Sequence, residues 1–436
     1  YIPQQAANNG YIIIKIVEGT LSGVKPEDNK VFTDELLQSL FDEFTGKAVS
    51  KDAIETAVLL TNDIPGYKGT AIFSPGLNVG ETVLILKTQE ESKFKTSLGF
   101  DNFGSEVTGK YRLRTDFHVN NFTNNADQLI LNGLFTLDPA NSQSISIAYN
   151  RPVINKQFLM SNSYSFNQYK IGGEFEELSI YGNSHILSSS LNFKHLRTET
   201  LNRNYSAALS YKYSESYGLG DNNYENALIL NIGGNISGNS SFLNGKYFTH
   251  VSISQGLSDQ LTNTREDFFD ELFTKINATG SFSFQIPNLT NQYALIKSQL
   301  QLTPHVLHSS ERLVLGGNQS LRAVPISEFA VDNGLILNME WIAKSKPSSE
   351  LGWLKNIQLT GFIDAAYGAI NTLEGGNESA LTDTGNSTIQ STIGVGINLN
   401  PFNGFYFKTT VGYRPTEVVS ENISEFQVLT NLSYTF

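Results

Sequence analysis

From residue 92 to the C-terminus the chain alternates apolar and polar residues with a period of two. Tyr205, Ala207, Leu209, Tyr211 and Tyr213 alternate with Ser206, Ala208, Ser210, Lys212 and Ser214. Ile276, Ala278, Phe282, Phe284 and Ile286 alternate in the same way with Asn277, Thr279, Ser281, Ser283 and Gln285. Successive side chains of a strand point to opposite faces, so this period means strands with one apolar and one polar side. A soluble sandwich shows the same alternation, and length and number decide between the two. About sixteen such runs follow one another, many of 10–12 residues, from 93–102 to 426–436, with 185–196, 205–215, 224–236 and 244–254 among them. Soluble strands average about 5–6 residues, whereas a tilted strand needs about 9–11 to cross a bilayer. An even count fits a bacterial barrel with both ends on the periplasmic side. Connections such as 287–291 and 400–403 are short, and 169–184, 255–272, 304–332 and 367–387 are long. That sorting matches short periplasmic turns and long surface loops. The 28 Phe and 19 Tyr supply the aromatic girdles such a barrel needs at its two interfaces. The expectation is an all-β membrane fold, a 16-stranded antiparallel transmembrane β-barrel over 92–436 in a bacterial outer membrane.

The first 90 residues read differently. Thr33 is placed to cap a helix whose apolar positions are Leu36, Leu37, Leu40, Phe41 and Phe44, with Asp34 and Glu35 in the first turn where carboxylates suit the helix dipole. Ser50 is placed to cap a second helix that carries Ile54, Ala57 and Val58 on one face and ends at Ile64-Pro65-Gly66. Strand-like runs at Lys68–Ser74 and Glu81–Thr88 follow, and another precedes the helices near Thr20–Val24. The order β-α-α-β-β describes a compact α+β module over 20–90. A further strand pattern at Gly10–Val17 belongs to a preceding unit. The chain opens at Tyr1 without a charged n-region or an apolar h-region, as expected of a processed or truncated form.

Several function classes are excluded by composition. A net charge of −12 argues against nucleic-acid binding, which normally shows a basic patch. The absence of Cys removes disulfides and thiolate metal sites. No stretch approaches eighteen consecutive apolar residues, so no helix is expected to cross the membrane. No His-Glu-x-x-His or Gly-x-Ser-x-Gly motif is present, and the close pair His305 and His308 reads as loop polar residues instead of metal ligands. No catalytic residue, cofactor or metal is expected.

One charged position stands out within a strand. In 355–366, Ile357, Leu359, Ile363 and Ala365 share one face, and Gln358, Thr360, Phe362 and Asp364 share the other. A carboxylate toward lipid is disfavoured, so Asp364 is expected to point into the lumen. The loop 304–332 is far longer than a hairpin requires and contains Arg322. Folded inward, its guanidinium could meet Asp364 in a bidentate pair. From the residues alone, an exposed Arg322 and an ordinary wet carboxylate at Asp364 remain the alternative.

Four segments resemble the two-partner secretion transporters, the haemolysin/haemagglutinin-activator type of polypeptide-transport barrel. Tyr1-Ile2-Pro3-Gln4-Gln5, with Gly10 and Glu18-Gly19, is similar to the close of that family's first POTRA domain, making 1–19 its truncated end. Leu59–Gly66 with Ser74-Pro75-Gly76 and Gly80 is similar to its second POTRA domain. Gly316-Gly317-Asn318-Gln319-Ser320-Leu321-Arg322 lies where the family keeps its long sixth loop and a Val-Arg-Gly-aromatic motif. Phe362-Ile363-Asp364-Ala365-Ala366 resembles the family's Phe-x-Asp-x-Gly. Here Ala323 and Val324 stand in place of the glycine and the aromatic, and Ala366 in place of a glycine. Tyr434 and the terminal Phe436 match the C-terminal signal of outer-membrane barrels as a class.

The resemblance implies a loop-6 motif at Leu321, Arg322, Ala323 and Val324 paired with a wall motif at Phe362, Asp364 and Ala366. In a wet lumen such a pair is expected to be worth far less than the roughly 3–5 kcal/mol lost on breaking a buried one, and to position the loop. It implies secretion of a large partner exoprotein through the barrel, with the periplasmic POTRA domain receiving the unfolded chain at an open sheet edge. Further partners implied are outer-membrane lipid and lipopolysaccharide, and the barrel assembly machinery during biogenesis. Two other readings stay open: an insertase of the same superfamily, and a passive porin.

Overall fold

The computed structural model describes residue 14 and residues 18–218, 221–262, 271–326, 328–345, 357–372, 386–415 and 424–436. The Tyr1–Gln5 segment and the strand expected at Gly10–Val17 lie outside these, apart from Ile14. Two compact units are present: one up to Phe94 with the turns Val119–Gln128 and Arg151–Gln157, and one holding the rest.

The first unit contains β1 (Thr20–Glu27), α1 (Asp34–Ser39), α2 (Lys51–Asn62), β2 (Tyr67–Pro75) and β3 (Glu81–Glu91), the expected β-α-α-β-β order. Thr33 caps α1 as its position predicts, its hydroxyl accepting from the Leu36 N–H at 3.3 Å. The helix stops at Ser39, and the apolar stripe continues through a 3-10 turn at Asp42–Phe44. Tightening of a last turn in this way still buries Phe41 completely. Ser50 begins α2 without using its side chain as a cap. Leu21, Phe32, Leu37, Phe41, Leu84 and Leu86 form the core between helices and sheet. The sheet order is β1-β3-β2, with β1 parallel and β2 antiparallel to β3. The outer edge of β1 is covered, through Gly46 N to Leu21 O at 2.7 Å and Val49 N to Gly19 O at 2.7 Å. The start of the β2 edge is taken by Asn62, whose amide bonds Gly69 O at 2.9 Å and Gly69 N at 2.8 Å. Among the described residues, the short stretch around Ala71–Phe73 has no backbone partner on its side away from β3.

The second unit is a closed antiparallel barrel. Its strands are β4 (Phe94–Asp101), β5 (Tyr111–Asn120), β6 (Gln128–Leu137), β7 (Ser142–Val153), β8 (Phe158–Lys170), β9 (Tyr181–Arg197), β10 (Leu201–Gly218), β11 (Asp221–Ser240), β12 (Gly245–Thr262), β13 (Leu272–Gln285) and β14 (Gln292–Leu302). A small ribbon, β15 (Leu313–Leu315) and β16 (Phe329–Val331), comes next within the sixth loop. The wall resumes with β17 (Asn333–Lys344), β18 (Ile357–Ala369), β19 (Ser387–Leu399), β20 (Phe405–Tyr413) and β21 (Phe426–Thr435). Sixteen strands close the wall, each within a few residues of its expected place except at the ends of β9–β12. Those run to 17, 18, 20 and 18 residues, well beyond the roughly 9–11 that cross a bilayer. Their far ends carry an aromatic cluster, Tyr181 stacked on Tyr217 at 4.9 Å and Tyr217 edge-on to Tyr224, among polar residues such as Asn222-Asn223.

Closure joins β21 to β4 over five residue pairs, from Asn431–Asp101 to Thr435–Ser97. Asn102 lengthens the seam with its side chain, donating to Val428 O at 2.8 Å and accepting from Thr430 N at 2.7 Å. No helix among the described residues is long and apolar enough to cross a membrane. Strands cross instead, with Leu209, Ile253 and Leu359 on the outer face and Ser210, Ser254 and Thr360 on the inner. Leu209→Arg is therefore expected to destabilise the barrel in lipid vesicles by about 2–4 kcal/mol, and the adjacent Ser210→Arg by less than about 1 kcal/mol. Reversible urea unfolding measures both, and equal losses would contradict this orientation.

Candidate functional site: the inward loop and its arginine

The segment between β14 and β17 folds back into the barrel. Its tip turns at Gly316 and Gly317, with φ of 136° and 83°, conformations that side-chain-bearing residues rarely adopt. A Cβ on Gly316 would also lie 2.3 Å from the Pro325 carbonyl oxygen. Gly317 N donates to Val324 O at 2.8 Å and closes the tip. Leu313, Leu315, Leu321, Val324, Phe329 and Val331 then form an apolar cluster against Ile336 and Ala366 of the wall. Within the loop, this cluster does what a core does in a small domain, and it displaces water from one side of the lumen.

That drying changes the arginine–aspartate pair. Arg322 is 3% exposed and Asp364 0%, so the expectation of a pair standing in a wet lumen is corrected. Arg322 Nε donates to Asp364 Oδ2 at 2.9 Å and Nη2 to Oδ1 at 2.6 Å, the bidentate geometry that a planar guanidinium allows. The Arg322 backbone N–H adds a third bond to Oδ2 at 3.1 Å. Asn338 Nδ2 donates to Oδ1 at 2.8 Å and to Ser320 O at 2.7 Å, and Thr392 Oγ1 donates to Oδ2 at 2.9 Å. Five donors thus satisfy one buried carboxylate, as burial of a charge requires. The guanidinium lies over the Phe362 ring, 3.6 Å from its centroid, a cation–π contact. Its Nη1 donates to Glu340 Oε1 at 2.9 Å, and Lys297 Nζ lies 3.8 Å from the same oxygen. Lys408 of β20 acts electrostatically on all four of these groups, so three cations surround two anions.

The other motif residues pack around this centre. Ala323 meets Gly412 of β20, where an added Cβ would come within 3.0 Å of the Ala323 Cβ. Val324 and Ala366 are both buried in the apolar cluster. Small residues at 323 and 366 thus bring the loop close to the wall. Tyr434 and Phe436 sit apart from this site, on the outer face of β21, with their rings edge-on at 4.6 Å.

Sequence reasoning missed a second anchor. Arg414, just past β20, is 1% exposed; it donates through Nη1 to Glu328 Oε1 at 2.9 Å and through Nε to Gln390 Oε1 at 3.1 Å. Here the wall supplies the cation and the loop the carboxylate. Glu340, Asn338 and Thr392 were also missed, although the parity that aimed Asp364 inward aims them inward too. Further out, Glu311 bonds Lys212 and lies 2.8 Å from Lys275 Nζ, and Arg312 Nε donates to Asp332 Oδ1 at 3.1 Å. Burial works to raise the Glu311 pKa, but the ammonium groups of Lys212 and Lys275 outweigh it and hold the carboxyl below its usual range. His308 pairs with Glu225 of β11, and His305 supports the loop through its carbonyl, which accepts from Asn371 Nδ2 at 2.7 Å.

The family model described as haemolysin secretion/activation protein ShlB/FhaC/HecB matches residues 80–388. The heme/hemopexin transporter protein HuxB of Haemophilus influenzae strain 86-028NP is 24% identical over 449 residues, covering 100% of this chain and 77% of HuxB. The HuxB of strain ATCC 51907 is 25% identical over 78% of this chain, which spans only 61% of that protein's length. Among solved structures, CdiB from Escherichia coli superposes with a TM-score of 0.79 at 18% identity, covering 100% of this chain and 80% of CdiB. BamA from Haemophilus ducreyi lacking POTRA domains 1–3 superposes at 0.63 and 14% identity, over 96% of this chain and 85% of that one, a likeness of fold.

Proposed function

Because this chain belongs to the ShlB/FhaC/HecB family of haemolysin secretion/activation proteins, we propose that it carries one large exoprotein across the bacterial outer membrane. The observation that carries this reading is the loop itself. A barrel built only to pass solutes has no need of a loop with its own apolar core, bound to the wall by Arg322–Asp364 and Arg414–Glu328. Such a loop narrows the lumen.

The rest of the pathway follows from the same reading. The N-terminal module lies in the periplasm and takes the unfolded exoprotein at the edge of β2, where the main chain around Ala71–Phe73 can accept an added strand. Edge pairing uses backbone hydrogen bonds, which suits an extended substrate of any sequence. The long loops face the cell surface and meet lipopolysaccharide, the outer face of the wall meets lipid, and the barrel assembly machinery inserts the chain. Leu321, Arg322, Ala323 and Val324 act with Phe362, Asp364 and Ala366 to fix the loop, and Tyr434 and Phe436 mark the strand that the assembly machinery reads.

Deleting the gene tests this directly by comparing proteins in the culture medium and in the outer membrane. The expected result is loss of one large polypeptide from the medium with other outer-membrane barrels at normal levels. An unchanged medium would remove the proposal. General depletion of barrels would mean an insertase, and a steady solute conductance with an unchanged medium would mean a porin.

A further inference from the structure

The outer face of β9–β11 changes character along its length. Leu209 and Leu230 pair across β10 and β11 and belong to an apolar band. Toward the ends joined by 171–180, the same face turns to tyrosines, amides and one carboxylate. Asn183, Glu215 and Tyr224 stand side by side across three strands, and Tyr181, Tyr217 and Asn222 form the next row. Glu215 is the centre of this group. Its Oε1 accepts from the Tyr213 hydroxyl, and its Oε2 accepts from the Tyr217 hydroxyl at 3.0 Å and from Asn183 Nδ2 at 3.2 Å. Tyr181 stacks on Tyr217 at 4.9 Å, Tyr217 meets Tyr224 edge-on at 6.3 Å, and Tyr181 is 47% exposed. A tyrosine that only anchors a barrel in the membrane interface keeps its hydroxyl toward water. Two hydroxyls here are turned onto one carboxylate instead, which fixes the rings as a platform with an acceptor at its middle.

We propose that this platform is a sugar-binding site, which takes neutral saccharide units of the lipopolysaccharide around the barrel. This rests on the reading above, in which these strand ends lie at the cell surface, and adds the residues and the ligand chemistry. The C–H face of a sugar ring packs on an aromatic face, whose negative quadrupole attracts it. Sugar hydroxyls both donate and accept, and the amides of Asn183 and Asn222 offer both roles beside the carboxylate. An ionised carboxylate has about four acceptor sites, so Glu215 can take a ligand hydroxyl beside its three donors. Charge favours sugar over the phosphates of lipid A. Among the described residues on the outward far halves of β8–β11 there is no Arg, and Lys170 is the one Lys, paired with Glu176 at 3.2 Å. Glu215 itself repels an anion.

Two probes test this on the full chain in detergent: dephosphorylated core oligosaccharide cleaved from lipopolysaccharide, and lipid A freed of core sugar. Calorimetric titration is expected to show oligosaccharide binding that the double change Tyr181→Ala, Tyr217→Ala weakens at least about tenfold. Glu215→Gln, the milder variant, is expected to weaken it several-fold, because a neutral acceptor bonds less strongly than an ionised one. EDTA should leave binding unchanged, and trypsin resistance shows that each variant is folded. No oligosaccharide binding, or equal binding by the Glu215→Gln protein, overturns the site. Loss on adding EDTA, or lipid A binding that depends on the same residues, means a metal-bridged phosphate and overturns it too. Tyr217→Cys supplies the only thiol in a chain without Cys, and an impermeant maleimide is expected to label it on intact cells. Labelling only after lysis removes the surface placement and the site together. Failed sugar binding with normal labelling and secretion removes the site alone.

Discussion

Arg322→Ala is expected to lower secretion of the exoprotein at least about tenfold while the barrel remains inserted and resistant to extraction. Truncation would leave Asp364, fully buried, with neither of its guanidinium bonds. Removing one partner of a buried ion pair typically costs about 3–5 kcal/mol, because the remaining charge stays desolvated. That cost falls on the loop, since the wall is held independently by its strand ladders. The tip should leave the wall, and Gly316–Pro325 should become sensitive to added protease. Arg322→Lys should rescue only part of the activity, because an ammonium cannot reproduce the bidentate fork over the Phe362 ring. Asp364→Asn combined with Arg322→Ala should cost less than the sum of the two single changes, as expected of coupled residues. Undiminished secretion by a correctly inserted Arg322→Ala protein would show that the pair is not part of the mechanism.

Leu37→Ala should unfold the N-terminal module and leave the barrel folded. Leu37 is fully buried between helix and sheet, and emptying such a site costs about 2–5 kcal/mol. A module of this size has a total stability of only about 4–10 kcal/mol at the usual value per residue. The loss is thus a large part of what holds it folded. Limited proteolysis should digest the region before Phe94 and leave the barrel as a resistant core, because the two belong to separate compact units. Secretion should fall with it. A module that stays protease-resistant would contradict this account of its core.

Much of this architecture is legible without coordinates, and the reason is local. A strand turns successive side chains to opposite faces, so period-two alternation exposes each strand, the facing of Asp364 and the even count. Thr33 and the stripe from Leu36 to Phe41 are likewise short-range signals, and they placed α1 correctly while overrunning its end. The ends of β9–β12 escaped because Gly, Asn and Ser residues such as Asn222-Asn223 and Ser237–Ser240 interrupt the apolar alternation there. The apolar ribbon β15–β16 escaped because three-residue strands carry too little pattern.

What the sequence by itself determined is the wall: its strands, their facing, and the presence of an arginine and an aspartate able to meet. Only the tertiary structure decided that they meet in a dry environment, 42 positions apart along the chain. That outcome depends on the loop's apolar cluster displacing water, on Gly412 letting Ala323 approach, and on Glu340, Asn338 and Thr392 converging from separate strands. Facing within a strand follows from backbone geometry, residue by residue. Burial of a charge depends on everything that surrounds it, and no single stretch of sequence contains those surroundings.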